Sequence, residues 1–183
     1  MEFYTDRLKL RRWSSSDGEG FAKINSDPKV MRYFPDEYSR ERSDEMMRLC
    51  NMEIDERGFS FWAVDRKDTG ELIGFVGLHN FIADLNFCPC VEIGWRLAHS
   101  QWGNGFATEA ALKSIGLGFT EFGLDEIHSF TTLNNVRSRA VMERIGMINT
   151  NLDFLHPSVS EQSDLQKHCL YKITKDEWQF AHG

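Results

Sequence analysis

Apolar and polar positions alternate along Arg7–Trp13, where Leu8 and Leu10 stand between charged residues, the period-two pattern of a half-buried strand. Ser14-Ser15-Ser16-Asp17 then offers capping oxygens, and a first short helix is predicted to run to Asn25. Asp27-Pro28 marks a second start, because proline is well suited to the first helical turn. Ser39–Gly58 carries helical spacing in Met46, Leu49, Cys50 and Ile54 and ends on glycine, which predicts a long helix with a solvated charged face.

The pattern then returns to strands. Ser60–Val64 and Glu71–Leu78 flank a turn containing Asp68-Thr69-Gly70 and predict a hairpin. Asn80–Pro89 reads as a loop and Cys90–Leu97 as a strand, with Val91, Ile93, Trp95 and Leu97 on one face and Glu92, Gly94 and Arg96 on the other. After a loop rich in small residues, Ala111, Ile115, Phe119 and Phe122 fall on one face of a helix that stops at Gly123. Glu126–Leu133 predicts a strand, and Asn135–Gly146 a helix with an asparagine cap and a glycine stop. Ile148, Thr150, Leu152 and Phe154 alternate as in one strand, Cys169–Ile173 predicts another, and Asp176–Phe180 a terminal helical turn. An antiparallel first half followed by interleaved strands and helices implies an α/β (α+β) chain, with a mixed sheet covered by helices on both faces.

A length of 183 residues fits one domain spanning 1–183, and 41% hydrophobic with 27% charged residues is ordinary for a soluble protein. The formal charge of −7 argues against nucleic acid as a partner, since that binding is driven by phosphate neutralisation. No apolar run reaches the ~20 residues of a membrane span, and Met1–Trp13 lacks the apolar stretch of a secretory signal. A cytoplasmic location and no membrane partner are expected. Cys88-Pro89-Cys90 is not a C-x-x-C pair, and Cys50 and Cys169 do not complete a metal set, so neither metal nor disulfide is expected.

The segment His99–Ala111, HSQWGNGFATEAA, changes the picture. Gly103, Gly105 and Ala107 are small at alternate positions just where a helix begins. The first turn of a helix presents free amides and a partial positive charge, and missing Cβ atoms let an anion lie against the backbone. A phosphate or pyrophosphate ligand is therefore expected here. No lysine follows Gly105 as a Walker loop requires, and no third glycine stands near Thr108 as a dinucleotide fingerprint requires.

Trp102 to Ala107 resembles the acetyl-CoA signature [RQ]-x-x-G-x-[GA] of the GNAT N-acetyltransferases, with Trp102 standing in the Arg/Gln slot. Asn135 to Met147 is similar to that superfamily's N-x-x-S-x7-G-F block, with Asn135, Ser138 and Gly146 in place and Met147 for the phenylalanine. The likeness extends from Arg7 to Ile173 and is strongest to the branch of ribosomal-protein N-terminal (alanine/serine) acetyltransferases. It implies a single-domain fold whose mostly antiparallel sheet is splayed at the fourth predicted strand, Cys90–Leu97. It further implies transfer of an acetyl group from acetyl-CoA to a primary amine, a protein or peptide N-terminus or a small molecule, with no metal. A homodimer is one option by resemblance alone.

The cosubstrate contacts implied are Trp95, Arg96 and Leu97 at the strand end, Trp102, Gly103, Asn104, Gly105, Phe106, Ala107 and Thr108 in the loop, and Asn135 and Ser138. An ammonium must lose a proton before it attacks a thioester, and Glu92 is the candidate base; a solvent-facing strand glutamate is the alternative. Gly94 marks either a bulge that admits the pantetheine arm or room for a close neighbour. Ser138 faces the leaving thiol or satisfies backbone donors, and Asn135 contacts pantetheine, caps its helix, or does both. No cysteine is set up as a nucleophile, so direct attack in a ternary complex is expected. A non-catalytic acyl-CoA-binding or sensor module on the same fold stays open as the alternative.

Overall fold

In the computed structural model, which describes Met1 to His182, the strands are β1 (Glu2–Tyr4), β2 (Leu8–Arg11), β3 (Phe61–Arg66), β4 (Leu72–Phe81) and β5 (Cys90–Leu97), followed by β6 (Glu126–Thr132), β7 (Ile148–Asn149), β8 (Phe154–Leu155) and β9 (Lys167–Thr174). The helices are α1 (Gly18–Asn25), α2 (Pro28–Met31), α3 (Arg40–Arg57), α4 (Phe106–Thr120), α5 (Val136–Arg144) and α6 (Lys175–His182). One sheet runs in the order β1-β2-β3-β4-β5-β6-β9-β7, with β8 also on β9. Every pairing is antiparallel except β5 with β6.

Period-two alternation divides the sheet into two apolar faces. Ala63 and Phe75 turn to one side, where Phe21 of α1 and Met47 and Cys50 of α3 cover them. Trp62, Val64, Val76 and Leu78 turn to the other, under Ala110, Ala111, Ile115 and Phe119 of α4. Met142 of α5 and Ile145 at its C-cap extend that second layer over Tyr171 and Ile173 of β9. Among the described residues, no helix is long and apolar enough to cross a membrane.

Local chemistry places the boundaries. Ser14 caps the short 3₁₀ turn Ser15–Asp17 in a capping box, Asp27 caps α2 ahead of Pro28, and Ser39 caps α3. Gly58 ends α3 in the left-handed conformation. A buried ion cluster ties the first helices to the sheet: the Arg11 guanidinium bonds Asp17 at 2.7 and 2.8 Å and Asp65 at 2.6 and 2.8 Å. Thr5–Arg7, the turn between β1 and β2, is fastened to Glu109 of α4. The Arg7 amide and guanidinium both donate to that carboxylate, at 2.9 and 2.6 Å. Burial by itself raises the Glu109 carboxyl, but the Thr5 hydroxyl, the Arg7 amide and the Arg7 charge outweigh it and hold it below the ordinary glutamate value.

Several expectations are corrected. β4 runs on through Asn80 and Phe81, so the loop begins at Ile82. The single strand expected over Ile148–Phe154 is two fragments along one edge of β9, whose registers differ by two residues. Asn151 takes a left-handed φ of 58° between them and turns Leu152 out to solvent. Gly94 is not a bulge: the β4–β5 register passes through Gly77–Gly94 unbroken, and a Cβ at Gly94 would sit 3.0 Å from the Phe61 ring. The bulge lies instead between β3 and β4, at Val64–Asp65. Beside it Gly74 has φ 136°, and a Cβ there would lie 2.0 Å from the Arg96 carbonyl oxygen. α4 ends at Thr120, before Phe122, whose ring nonetheless packs on Phe59 and Trp62. Strand β1 has no counterpart in the pattern reading, and the expected terminal turn is the helix α6.

Two outcomes follow for stability. Gly74→Ala forces both a disfavoured φ and a backbone clash, and urea denaturation is expected to show a loss of about 3 kcal/mol or more, whereas Gly70→Ala, with φ 70° and open space, loses about 1 kcal/mol. Glu109→Ala is expected to cost about 1 kcal/mol at pH 7. Because the folded-state pKa of Glu109 is depressed, its contribution is complete above the unfolded glutamate pKa and fades as pH falls through the folded value. Wild type and variant should therefore converge in acid, as read from denaturation midpoints across pH.

Candidate active site

Strands β5 and β6 pair in parallel at one register only, Glu92 with His128, beyond which the Ser129 hydroxyl donates to the Ile93 carbonyl at 2.9 Å. Past that point the strands separate. Ala98 donates its amide to the Ile73 carbonyl, so by antiparallel alternation the amides of Glu92, Gly94 and Arg96 face β4. Those of Trp95 and Leu97 face the opening between β5 and β6. The Leu97 carbonyl on that side accepts the Trp102 indole N–H at 2.9 Å.

Arg96 is a correction. Its amide is on the β4 side, and its side chain, 5% exposed, donates to Asn25 at 2.7 Å and lies over Phe34, Tyr38 and Phe75. It braces α1 and the segment after α2 against β5, apart from the opening. Trp13 and Trp62 are buried, and Phe34 lies under Arg96, so all three serve packing.

The chain leaves β5 through a 3₁₀ turn at His99–Gln101 and reaches α4 by way of Gly103 and Gly105, both with φ 80°. Gly105 is the N-cap and supplies no side-chain cap. Among the described residues, no protein oxygen accepts from the amides of Gly103 to Thr108; the first helical bond is from Glu109 to Gly105. A Cβ on Gly103 would meet nothing within 4 Å, and one on Gly105 would meet only the Arg7 guanidinium at 3.5 Å. The loop's own polar groups turn inward: Asn104 Nδ2 donates to the Gln101 carbonyl, and the Asn104 carbonyl accepts from Arg7 at 3.0 Å. Phe106 buries its ring under Arg7, leaving its amide at the helix end. Successive amides in such a cup form an anion cradle.

Across the opening, α5 brings its first turn close to this cradle. The Arg137 guanidinium lies 5.0 Å from the Trp102 ring centroid. Asn135 caps α5 by accepting from the Ser138 amide, and its Nδ2 donates to both Thr131 Oγ1 at 2.9 Å and Ser138 Oγ at 3.0 Å. Ser138 Oγ is thus an acceptor toward Asn135, which leaves its own proton free to be donated elsewhere. Arg139 is engaged with the Leu133 carbonyl and Tyr171. The Tyr33 hydroxyl donates to the Asn134 carbonyl at 3.2 Å, linking the segment after α2 to the β6–α5 corner.

Glu92 is not an isolated strand carboxylate. Its Oε1 is 3.0 Å from His79 Nδ1, the cross-strand partner on β4. His79 Nε2 is 3.9 Å from Glu53 Oε2 of α3, and Glu53 accepts from the Ser60 hydroxyl and the Asn80 amide at 2.6 and 2.9 Å. The imidazole stacks on Phe61 with centroids 5.1 Å apart. Burial favours neutral His79, but the hydrogen bond and charge of Glu92 and the charge of Glu53 outweigh it, so His79 titrates above an ordinary histidine. Farther along the same face, Phe81, Phe130, Phe154, His156 and His168 form one ring cluster, with the two imidazoles 4.9 Å apart. Burial pushes His156 down to about 4 and also lowers His168, so both are neutral near pH 7.

Glu53, Ser60 and the phenylalanines were not singled out from the sequence. Glu53 looks like any charge on an amphipathic helix, and only the cross-strand register brings it to His79. Burial raises the thiols of Cys50, to about 11, and of Cys90 and Cys169, so these three are poor nucleophiles at neutral pH.

The family model described as "Acetyltransferase (GNAT) domain" matches residues 7–148. The uncharacterized N-acetyltransferase YoaA of Bacillus subtilis is 31% identical over 144 residues, covering 78% of this chain and 80% of that protein. A GNAT-family acetyltransferase structure from Bacillus anthracis superposes with a TM-score of 0.79 at 24% identity, covering 96% of this chain and 99% of that one. Spermidine N-acetyltransferase from Vibrio cholerae, solved with CoA and spermine, does so with a TM-score of 0.74 at 20% identity, covering 96% and 99%. The family model covers most of the chain, and the chain belongs to that family: it is an acetyltransferase of the GNAT family.

Proposed function

We infer that this enzyme transfers the acetyl group of acetyl-CoA to a primary amine by direct attack in a ternary complex, in the cytoplasm, with residues 1–183 acting as one catalytic domain. The observation that carries this reading is the run of unclaimed amides from Gly103 to Thr108 beside two arginines, Arg7 and Arg137, at the mouth of the β5–β6 opening. Those amides and the α4 N-terminus hold the diphosphate. Trp102 shapes the loop by bonding Leu97, and the pantetheine arm enters between the strands, where Asn135 reaches its amides. The Trp95 amide faces the opening and stabilises the oxyanion that forms on the thioester carbonyl.

Glu92 takes the proton from the acceptor ammonium, and the amine lone pair attacks the thioester carbon. As the tetrahedral intermediate collapses, the C–S bond breaks, the nitrogen gives up its surplus proton to solvent, and Ser138 donates its free proton toward the departing sulfur and regains one from solvent. With Cys50, Cys90 and Cys169 held as thiols by burial, no acyl-enzyme is needed. The acceptor meets a carboxylate pair, Glu53 and Glu92, and a face of neutral rings around Phe130 and His156. Both suit an amine on a peptide N-terminus or small molecule, the former in keeping with the ribosomal-protein branch. The relative crystallised with spermine makes polyamines a natural second arm of any acceptor screen.

Two measurements test this. Calorimetric titration with acetyl-CoA should show that Gly103→Asp weakens binding tenfold or more, since aspartate tolerates a left-handed φ but sets a charge against the diphosphate; undiminished affinity overturns the cradle assignment. Incubation with acetyl-CoA and an amine panel should give products heavier by one acetyl group, with kcat about 10²–10⁴-fold lower in Glu92→Gln and about tenfold lower in Ser138→Ala. Full activity in both variants removes their assigned roles.

A further inference from the structure

Both ring nitrogens of His79 face a carboxylate: Nδ1 is 3.0 Å from Glu92 on β5 and Nε2 is 3.9 Å from Glu53 on α3. A neutral imidazole in this position must turn one lone pair toward a carboxylate, whereas an imidazolium satisfies both. The remaining neighbours are uncharged, namely the Phe61 ring stacked on the imidazole from β3 and the Ser60 hydroxyl bonded to Glu53. The arrangement is fixed on three elements: a regular β4–β5 register sets His79 opposite Glu92, and two donors, the Ser60 hydroxyl and the Asn80 amide, pin Glu53.

A glutamate alone is a weak base for an ammonium, because its ordinary pKa of about 4.3 lies far below that of an amine. We propose that Glu92 and His79 act as one base unit, in which the proton removed from the acceptor ammonium by Glu92 passes on to His79 Nδ1. This rests on the reading of Glu92 as the base. The ammonium N–H bond breaks and an O–H bond forms on Glu92. That O–H bond then breaks as Nδ1–H forms, leaving an imidazolium between two carboxylates. The lone pair left on nitrogen attacks the thioester carbon. The imidazolium returns its proton to solvent, to which the His79 side chain is 36% exposed. His79 is thus a positioning and relay residue that acts through Glu92, and its upward-shifted titration brings the unit closer to working pH than a carboxylate alone. The enzyme is competent when His79 is neutral, so activity rises with pH through the His79 titration.

The test follows the His79 ring signals by NMR across pH in the full chain, alongside the pH profile of kcat/KM. His79 is expected to titrate above an ordinary histidine, and to move down in both Glu92→Gln and Glu53→Gln. The acid limb of kcat/KM should coincide with the wild-type titration. His79→Asn keeps a donor toward Glu92 but cannot titrate; its kcat/KM near pH 7 should fall about ten- to a hundredfold and its acid limb should leave the wild-type position, with acetyl-CoA affinity unchanged. A wild-type profile in His79→Asn, or a His79 titration indifferent to Glu92→Gln, overturns the relay. If Glu92→Gln is inactive in that case, the base assignment survives it; if Glu92→Gln transfers acetyl at the wild-type rate, the base assignment itself falls and takes the relay with it. Should His79→Asn not fold, the titrations in wild type, Glu92→Gln and Glu53→Gln decide alone.

Discussion

The architecture turns on a parallel pairing, the only one among the described residues of an otherwise antiparallel sheet, held at Glu92–His128 and given up immediately afterwards. Two strands that diverge leave backbone groups without a ladder, and such groups are costly unless something pairs with them. Here the surrounding structure absorbs part of that deficit: Ser129 covers the Ile93 carbonyl and Trp102 the Leu97 carbonyl. What stays open is a polar-edged slot beginning between an acidic side chain and an amide cradle. A substrate with amides of its own suits such a slot, because it can complete the missing ladder.

The two ends of the slot are built by different means. The cradle end is backbone: left-handed glycines and a helix start, with side chains turned inward or away. The acid end is side chain: Glu92, His79 and Glu53, each on a different element and each oriented by a neighbour. A site built from backbone amides depends little on side-chain identity, whereas a site built from side chains is free to vary from one sequence to another. The tie from Tyr33 to Asn134 closes one flank and links the segment after α2 to the corner that carries Asn135 and Ser138.

Most of the fold was legible in residue pattern. Alternation in Arg7–Trp13, in the Asp68–Gly70 hairpin and in Cys90–Leu97 marked strands to within three residues at each end, and Ser14, Asp27, Ser39, Asn135, Gly58 and Gly146 marked helix ends because caps have local chemistry. The edge after α5 was misread because alternation at Ile148, Thr150 and Phe154 continues through Leu152 in sequence, whereas a left-handed Asn151 breaks it in space. Gly94 was ambiguous because a glycine's spacing does not say whether it bends the strand or admits a ring. The cradle was readable since its residues are contiguous. The partners of Glu92 were not, since Glu53 and His79 reach it only through packing and register, and Arg96 kept its distance for a reason, Asn25, that is 71 positions away.

The clamp of Arg7 on Glu109 gives the amino-terminal turn an influence out of proportion to its position. The same guanidinium that grips the helix also holds the Asn104 carbonyl, so the geometry of the cradle is set in part from the far end of the chain. A change confined to the β1–β2 turn would therefore reach the amide cradle through this clamp while leaving Glu92 and Ser138 untouched.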